Sequence, residues 1–141
     1  MDSSELDKLL YYAAGLIDGE GYIGVVRNGL SPYGSISYLL RIQVAMTDQA
    51  PLDLLKMLFG GRVRFRGDRQ GNRQDIYSWE LTSREEVWRC LTLLRGKSTV
   101  KTAMIELGLL YLETFRHREK DAELREAFYS KFKVLNRRGK Q

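Results

Sequence analysis

Apolar residues recur every three or four positions through residues 6–17, and this spacing predicts an amphipathic helix near the start of the chain. The pattern then changes to alternation. Along residues 36–44 the even positions are mostly apolar and the odd positions mostly polar, which predicts a strand with one face on a core. Residues 22–27 are also strand-like, and Asn28–Gly29 indicates a turn between the two segments. The first third of the chain therefore predicts a helix and an amphipathic hairpin.

The same order is repeated in the next stretch. Residues 47–59 predict a second helix, with Thr47–Asp48 as its N-cap and Pro51 in its first turn. Residues 62–66 and 75–81 predict a second hairpin. The inward-facing side chains of that hairpin are predicted to be Val63, Phe65, Tyr77, Trp79 and Leu81.

Three further helices are predicted after the second hairpin. A capping box of Ser83 and Glu86 opens the first one, the second covers about residues 99–115, and the third runs over about residues 122–135. The predicted order is helix, two strands, helix, two strands and then helices, which indicates an α+β fold with a four-stranded antiparallel sheet and an extra C-terminal helix.

Length and charge narrow the class of protein. With 141 residues the chain is expected to form one domain, with a core over about residues 6–115, a helical extension over 116–135 and a basic tail over 136–141. A net charge of +5 favours a polyanionic partner. The single cysteine, Cys90, excludes an intrachain disulfide and is expected in the core, whereas the only histidine, His117, is expected on the surface.

No membrane partner is expected, because the longest apolar segment, residues 103–115, is interrupted by Glu106 and Glu113. The sequence indicates a soluble intracellular protein, and it does not distinguish a prokaryotic or phage cytoplasm from an organelle. No small-molecule substrate is predicted.

The chemistry is concentrated at residues 13–21, which read AAGLIDGEG. Small residues at the start of this stretch would let another backbone approach the helix closely. Gly19 is placed where the helix could end in a left-handed C-cap. Asp18 and Glu20 flank that glycine, and carboxylates beside the carbonyl groups of a helix end suit a hard divalent cation such as Mg²⁺.

This stretch closely resembles the motif of the LAGLIDADG homing endonucleases, from which it departs at the first, seventh and eighth residues. Since only one copy of the motif is present, the chain resembles the single-motif, homodimeric type. The resemblance implies an α-β-β-α-β-β-α core whose saddle-shaped sheet lies in the DNA major groove. It also implies that the motif helix packs on its counterpart in a second copy, through Ala13, Ala14, Leu16 and Ile17.

What the resemblance implies about activity is specific. The protein would be a site-specific endonuclease of intron-mobility type that cuts a long, near-palindromic duplex across the minor groove and leaves 3′ overhangs. Glu20 would be the catalytic carboxylate and would bind Mg²⁺ or another divalent cation together with the Gly19 carbonyl, while Asp18 is expected to support the turn. Lys97 is the expected catalytic lysine and Lys101 the alternative.

One position departs from the family in a way that bears on activity. Met46 stands where the family often has a glutamine just after the second strand, and a thioether cannot hold a water molecule as an amide can. Gln43 and Gln49 flank this position and leave the register open.

The polar side of the predicted hairpins provides candidate DNA contacts. Five arginines lie between positions 62 and 73 with a single opposing acid, Asp68, whereas a solvated surface usually mixes both signs. Arginine can bind guanine in bidentate fashion, and glutamine can do the same with adenine. The predicted DNA-binding residues are Ser35, Ser37, Arg41, Gln43, Arg62, Arg64, Arg66, Arg69, Arg73, Gln74 and Asp75.

Two alternatives remain at this point. The chain could be a catalytically inactive relative that binds DNA or RNA, as an RNA maturase or a regulator, although the carboxylate of Glu20 favours cleavage. It could also be an unrelated small basic α+β domain that binds protein partners, in which case the motif and the arginine-rich face would both be coincidental.

Overall fold

Five helices and four strands follow one another in the predicted order. The computed structural model describes residues 2–30, 32, 34, 36–67, 75–117 and 120–138. Its elements are α1 Ser3–Glu20, β1 Gly21–Leu30, β2 Ile36–Met46, α2 Ala50–Phe59, β3 Arg62–Phe65, β4 Tyr77–Leu81, α3 Arg84–Leu94, α4 Thr102–Thr114 and α5 Ala122–Arg138. The predicted α+β class, with four antiparallel strands and an extra C-terminal helix, is confirmed.

The four strands form one antiparallel sheet in the order β1-β2-β4-β3. Ile42 in β2 lies between Ile23 of β1 and Leu81 of β4, and all three side chains are fully buried. Since side chains alternate along a strand, every second residue in both directions from this row faces the same core. The sheet therefore has one apolar face covered by helices, and α1 to α4 all contact it.

The predicted inward-facing positions of the second hairpin are confirmed except at its tip. Trp79 and Leu81 are completely buried, and the indole N–H of Trp79 donates to the Gly60 carbonyl at 2.8 Å. Phe65 is paired with Tyr77 on the same face, but its side chain is 59% exposed. Because β3 is an edge strand, Phe65 at its end packs mainly against the Tyr77 ring.

Helix α1 differs from prediction at both ends. It begins at Ser3, because the Asp2 carboxylate accepts the Glu5 N–H at 2.8 Å and caps the first turn. The helix continues to Glu20, so the left-handed cap predicted at Gly19 is wrong. Gly21 follows in extended conformation with φ −93°, and a Cβ there would lie 2.6 Å from the Ile17 carbonyl oxygen. Glycine is needed at 21 for close approach of the backbone.

Other helix starts also differ from the predicted caps. Gln49 is the N-cap of α2, although the Asp48 carboxylate accepts the Ala50 N–H at 3.1 Å. Ser83 is the N-cap of α3, but its side chain makes no capping hydrogen bond, so the predicted capping box does not form. At the other end of the chain, α5 extends to Arg138 and includes the first three residues of the predicted basic tail.

Helix α5 packs on β1 and α4 through the buried side chains Phe128 and Phe132. Polar contacts hold it along the outer edge of β1. The Asn136 amide donates to the Ile23 carbonyl at 3.1 Å. Glu126 accepts hydrogen bonds from Arg27 and from the Tyr38 hydroxyl. Because β1 is an edge strand of the described sheet, the Asn136 amide supplies a partner to a carbonyl on its open backbone edge.

None of the helices in the described part of the chain combines the length and the apolar character that crossing a membrane requires.

Candidate nucleic-acid interface and carboxylate site

The face of the sheet opposite the core is predominantly polar. The register places Gln43 of β2 between Tyr22 of β1 and Glu80 of β4, and it pairs Arg64 of β3 with Ser78 of β4. We call this side the polar face. It comprises Tyr22, Gly24, Val26, Ser37, Leu39, Arg41, Gln43, Ala45, Arg62, Arg64, Ser78 and Glu80.

The centre of the polar face is ordered by two side-chain contacts. Ser78 is only 1% exposed, and its hydroxyl oxygen accepts a hydrogen bond from the Gln43 amide nitrogen at 3.0 Å. Arg62 lies 3.7 Å from a carboxylate oxygen of Glu80, so part of its charge is balanced within the chain. Gln43 is therefore held in one orientation, while Arg62 is less available to a ligand than its neighbours.

Arg64 and Arg66 are exposed cations of the predicted reading set. Both are exposed, and in the described part of the chain neither lies within 4.0 Å of a carboxylate oxygen. Arg66 continues the line of Arg62 and Arg64, and its backbone N–H donates to the Ile76 carbonyl at 2.7 Å. Ser37 and Asp75 are also exposed. The predicted contacts Ser35, Arg69, Arg73 and Gln74 lie outside the described residues.

Arg41 has an unusual environment on the polar face. Its guanidinium carbon is 5.9 Å from the centre of the Tyr22 ring. Its Nε atom is buried and has no hydrogen-bond partner among the described residues. A buried donor without an acceptor is costly, and an acceptor supplied by a ligand would remove that cost. Arg41 therefore presents a buried donor that has no acceptor among the described residues.

Tyr22 is a component of this face that the sequence reasoning did not select. Its ring extends along β1 over Gly24, where a Cβ would lie 2.4 Å from the Tyr22 hydroxyl oxygen. Burial raises the pKa of Tyr22, and the nearby charge of Arg41 opposes that rise. The alternation of β1 with Ile23 inward was the available signal, since it places Tyr22 outward.

Glu20 is exposed at the end of α1, directly before β1. Gly21 is paired with Val44, so Met46 near the end of β2 lies at the same end of the sheet as Glu20. The last carbonyl groups of a helix have no intrahelical donors, and that of Gly19 is among them. A carboxylate and a carbonyl are oxygen ligands of the kind that Mg²⁺ and Ca²⁺ prefer.

In the part of the chain that the structure describes, no three acidic, histidine or cysteine side chains cluster closely enough to hold an ion. The Glu20 carboxylate and the Gly19 carbonyl are oxygen ligands of a kind that fits a hard divalent cation chemically.

Asp18 serves the loop before α4. Its carboxylate accepts hydrogen bonds from the Ser98 hydroxyl, from the Thr99 N–H at 2.9 Å and from the Lys101 N–H at 3.3 Å. Burial of the carboxyl would raise its pKa, but the hydrogen bonds from Ser98 and Thr99 outweigh burial and hold the pKa below its ordinary value of 3.8. Asp18 therefore anchors the loop before α4, and not the turn that follows its own helix, as was predicted.

The two candidate lysines are placed differently. The Lys97 ammonium lies 3.7 Å from the Asp7 carboxylate and 5.5 Å from the centre of the Tyr11 ring. Tyr11 precedes Glu20 by nine residues in α1, a distance of about 13 Å along the helix axis. The structure therefore does not bring the Lys97 ammonium to Glu20 within one chain. The backbone N–H of Lys101 donates to the Asp18 carboxylate, and Asp18 precedes Glu20 by two residues in the chain.

The residues predicted for a dimer interface fall on two sides of α1. Ala13, Ala14 and Ile17 are at most 1% exposed, because they pack into the core of their own chain, and Leu16 is partly exposed. The outer side of α1 consists of Tyr12, Gly15, Leu16 and Gly19. A Cβ added at Gly15 or Gly19 would have no neighbour within 4 Å, so this side is open.

Cys90 and His117 lie where the sequence predicts, in the core and on the surface respectively. Cys90 is completely buried, and burial strongly raises its pKa, which excludes a thiolate nucleophile under ordinary conditions. His117 is exposed.

Comparison with known proteins gives a match of fold and none of sequence. No protein-family model matches the chain, and no curated protein does. Solved structures do match. A crystal structure of the homing endonuclease I-CvuI in complex with the I-CreI target superimposes with a TM-score of 0.75, over 92% of this chain and 83% of that chain, at 20% identity.

This is the LAGLIDADG homing endonuclease fold.

Two further structures match this chain over different shares of their own length. The homing endonuclease I-TnaI matches over 87% of this chain and 97% of its own, with a TM-score of 0.57 and 20% identity. I-LtrWI, a LAGLIDADG homing endonuclease bound to target DNA, matches over 78% of this chain but only 38% of its own, with a TM-score of 0.61 and 21% identity. At these identities the likeness establishes the fold.

Proposed function

We propose that this protein is a site-specific double-strand DNA endonuclease of the LAGLIDADG homing type. The observation that carries the proposal is a juxtaposition. The chain has the LAGLIDADG fold, and its motif places the exposed carboxylate of Glu20 at the end of α1. Strand β1 begins at the same point and belongs to the sheet whose polar face bears arginines. A carboxylate at the margin of a cationic sheet is the arrangement needed to bind a duplex and act on its phosphates.

The polar face is the proposed DNA-binding surface. I-CvuI and I-LtrWI were crystallised with DNA, and both share this fold. A strand advances about 3.3 Å per residue, close to the 3.4 Å between base pairs along one strand of a duplex, so a strand can follow the duplex, with successive outward residues about 6.6 Å or two base pairs apart. Arg41, Arg64 and Arg66 are the proposed guanine readers, and Gln43, fixed by Ser78, is the proposed adenine reader.

A homodimer is the proposed active form. One copy supplies a single exposed motif carboxylate, and cutting two strands requires two. The outer side of α1, with Gly15 and Gly19, lets a second helix approach closely. A two-fold axis between two α1 helices would bring both Glu20 side chains together. Such a dimer has two identical reading faces, so its target would be near-palindromic.

Within this assembly each residue has a proposed role. A divalent cation, when bound, supplies charge stabilisation at the phosphate and lowers the pKa of a bound water. Glu20 and the Gly19 carbonyl would hold that cation. Asp18 fixes the loop that carries Lys101. We therefore prefer Lys101 to Lys97 as the lysine nearest the scissile phosphate, because Lys97 is directed towards Asp7. Met46, at the usual glutamine position, cannot orient a water and is expected to make the enzyme slower than its relatives.

The proposal is tested by selecting cleaved molecules from a library of randomised duplexes, with Mg²⁺ and in parallel with a chelator. Recovery of a near-palindromic site with 3′ overhangs, only in the presence of the metal, is the expected result. Sequence-selective binding without cutting under any divalent cation would instead favour an inactive DNA-binding relative. Absence of any duplex binding would contradict the proposal.

A further inference from the structure

A small pocket opens between α5 and the outer edge of β1. Its volume is about 250 Å³, and it is lined by Tyr22, Val25, Tyr129, Lys133, Asn136 and Arg137. The pocket has fixed walls, because the Asn136 amide is bonded to the Ile23 carbonyl at 3.1 Å and Phe132 is completely buried beneath the helix. Its shape is therefore set by the packing of α5 on the sheet edge.

The lining of the pocket carries two positive charges. Lys133 and Arg137 are both exposed and are four residues apart in α5, so they lie on the same side of the helix. Within the described residues neither cation lies within 4.0 Å of a carboxylate oxygen. Glu126, two turns before Lys133 in α5, accepts its hydrogen bonds from Arg27 and Tyr38, although the Lys133 charge also helps to lower its pKa. The pocket therefore has two cations and no carboxylate in its lining.

The pocket also lies at the margin of the polar face. Tyr22, which forms part of its wall, belongs to that face and follows Glu20 by two residues. Neighbouring wall residues offer donors suited to phosphate oxygens, namely the ammonium, the guanidinium and the phenolic hydroxyl. An anion bound in this pocket would lie beside a bound duplex, at the end of β1 that directly follows Glu20.

We propose that Lys133, Arg137 and Tyr22 form a binding site for one phosphodiester group of the DNA backbone, located on the C-terminal helix. The site rests on the proposed function and extends it. It supplies sequence-independent affinity from outside the sheet, and it makes α5 part of the DNA-binding surface. Contacts to phosphates position a protein on the duplex, whereas base contacts select the sequence.

The test compares Lys133→Gln, Arg137→Gln and the double variant with the wild type and with Lys131→Gln. Lys131 is an exposed lysine of the same helix, two residues from Lys133 and so about 200° away around the axis. The measurement is the salt dependence of binding to two duplexes, one of mixed sequence and one recovered by cleavage selection. Thermal unfolding of each variant checks that α5 remains folded.

The double variant is expected to lose affinity for both duplexes by the same factor. Its slope of log affinity against log salt should fall by about 1.8, which corresponds to two phosphate contacts, and each single variant should lose about half of this. Lys131→Gln should keep the wild-type slope. A double variant that matches Lys131→Gln in slope overturns the phosphate site.

A further variant separates this outcome from failure of the proposed function. Arg64→Gln alters the polar face and should reduce the preference for the selected duplex. If Arg64→Gln acts as expected but the α5 double variant does not, only the phosphate site is wrong. If the wild type binds neither duplex, the endonuclease proposal and the phosphate site are both wrong.

Discussion

The Asp18 carboxylate accepts the backbone N–H of Thr99 at 2.9 Å, although 81 positions separate the two residues in the chain. The same carboxylate binds Ser98 and the Lys101 N–H. The end of α1 is thereby joined to the start of α4, whose own N-cap residue provides no side-chain cap. Of the two motif carboxylates, Asp18 is thus engaged in hydrogen bonds within the chain, whereas Glu20 is exposed.

Replacing Asp18 with asparagine should destabilise the fold. An asparagine side chain has one acceptor oxygen, whereas the carboxylate has two and accepts from several donors. The NH₂ group of asparagine would face some of these donors and could not accept from them. Loss of a helix cap with its hydrogen bonds costs about 1–2 kcal/mol. We expect a reduction of this size in the free energy of unfolding, measured with urea at pH 7. Asp75→Asn, at an exposed carboxylate before β4, is the matched control and should change stability little.

The same variant tests the pH dependence. The pKa of Asp18 is lower in the folded state than its ordinary value of 3.8, so its contribution is present above about pH 4 and is lost as pH falls through the folded pKa. Wild type should therefore lose stability more steeply than Asp18→Asn on acidification below pH 4. Parallel acid profiles for the two proteins would show that Asp18 is not bonded as described.

Gly15→Leu should weaken self-association without unfolding the chain. The monomer has room for the new side chain, because a Cβ at Gly15 meets no atom within 4 Å. Removing a glycine from a helix interior also favours the helix by several tenths of a kcal/mol. A second helix, however, could no longer approach α1 closely. We expect a folded protein whose dimer dissociation constant rises at least tenfold, measured by sedimentation velocity over a concentration series.

The control for this variant is Ala127→Leu, a comparable enlargement at an exposed position of α5. It should sediment like the wild type. A Gly15→Leu protein that dimerises as tightly as the wild type would place the dimer interface on another surface.

Arg64→Gln should relax base preference at one position in each half-site. Arg64 is exposed beside Ser78 on the polar face and has no carboxylate within 4.0 Å in the described part of the chain. Loss of a bidentate guanine contact costs about 1–3 kcal/mol of discrimination. Competition binding with single-base variants of the selected duplex measures this loss. Lys56→Gln, on α2 at the helical side of the sheet, removes the same charge and should leave the preference unchanged.

Sequence patterns were reliable for residues in the middle of a strand on the helix-covered face of the sheet. Alternation was sufficient to predict that Trp79 and Leu81 are buried, because strand geometry fixes the face of each side chain. Alternation predicted the face of Phe65 but not its exposure, because burial at the end of an edge strand depends on whether another element covers that end.

Side-chain direction and long-range contacts were not predictable in this way. The position of Lys97 in the chain suggested a catalytic lysine, but its direction is set by Asp7 and Tyr11, which precede it by more than 80 residues. The small residues of the motif suggested a dimer face, yet Ala13 and Ala14 allow α1 to approach its own core. Nothing local indicates that Asn136 bonds Ile23, since the pair is 113 positions apart.

The central claim is that Glu20 is the carboxylate on which cleavage depends. The most direct measurement is single-turnover cleavage of the selected duplex by wild type and by Glu20→Gln, with binding measured on the same duplex. Glu5→Gln, at the opposite end of α1, is the matched control. We predict that Glu20→Gln cuts at least about a thousandfold more slowly while binding within about twofold of wild type. Cleavage by Glu20→Gln at the wild-type rate would contradict the account.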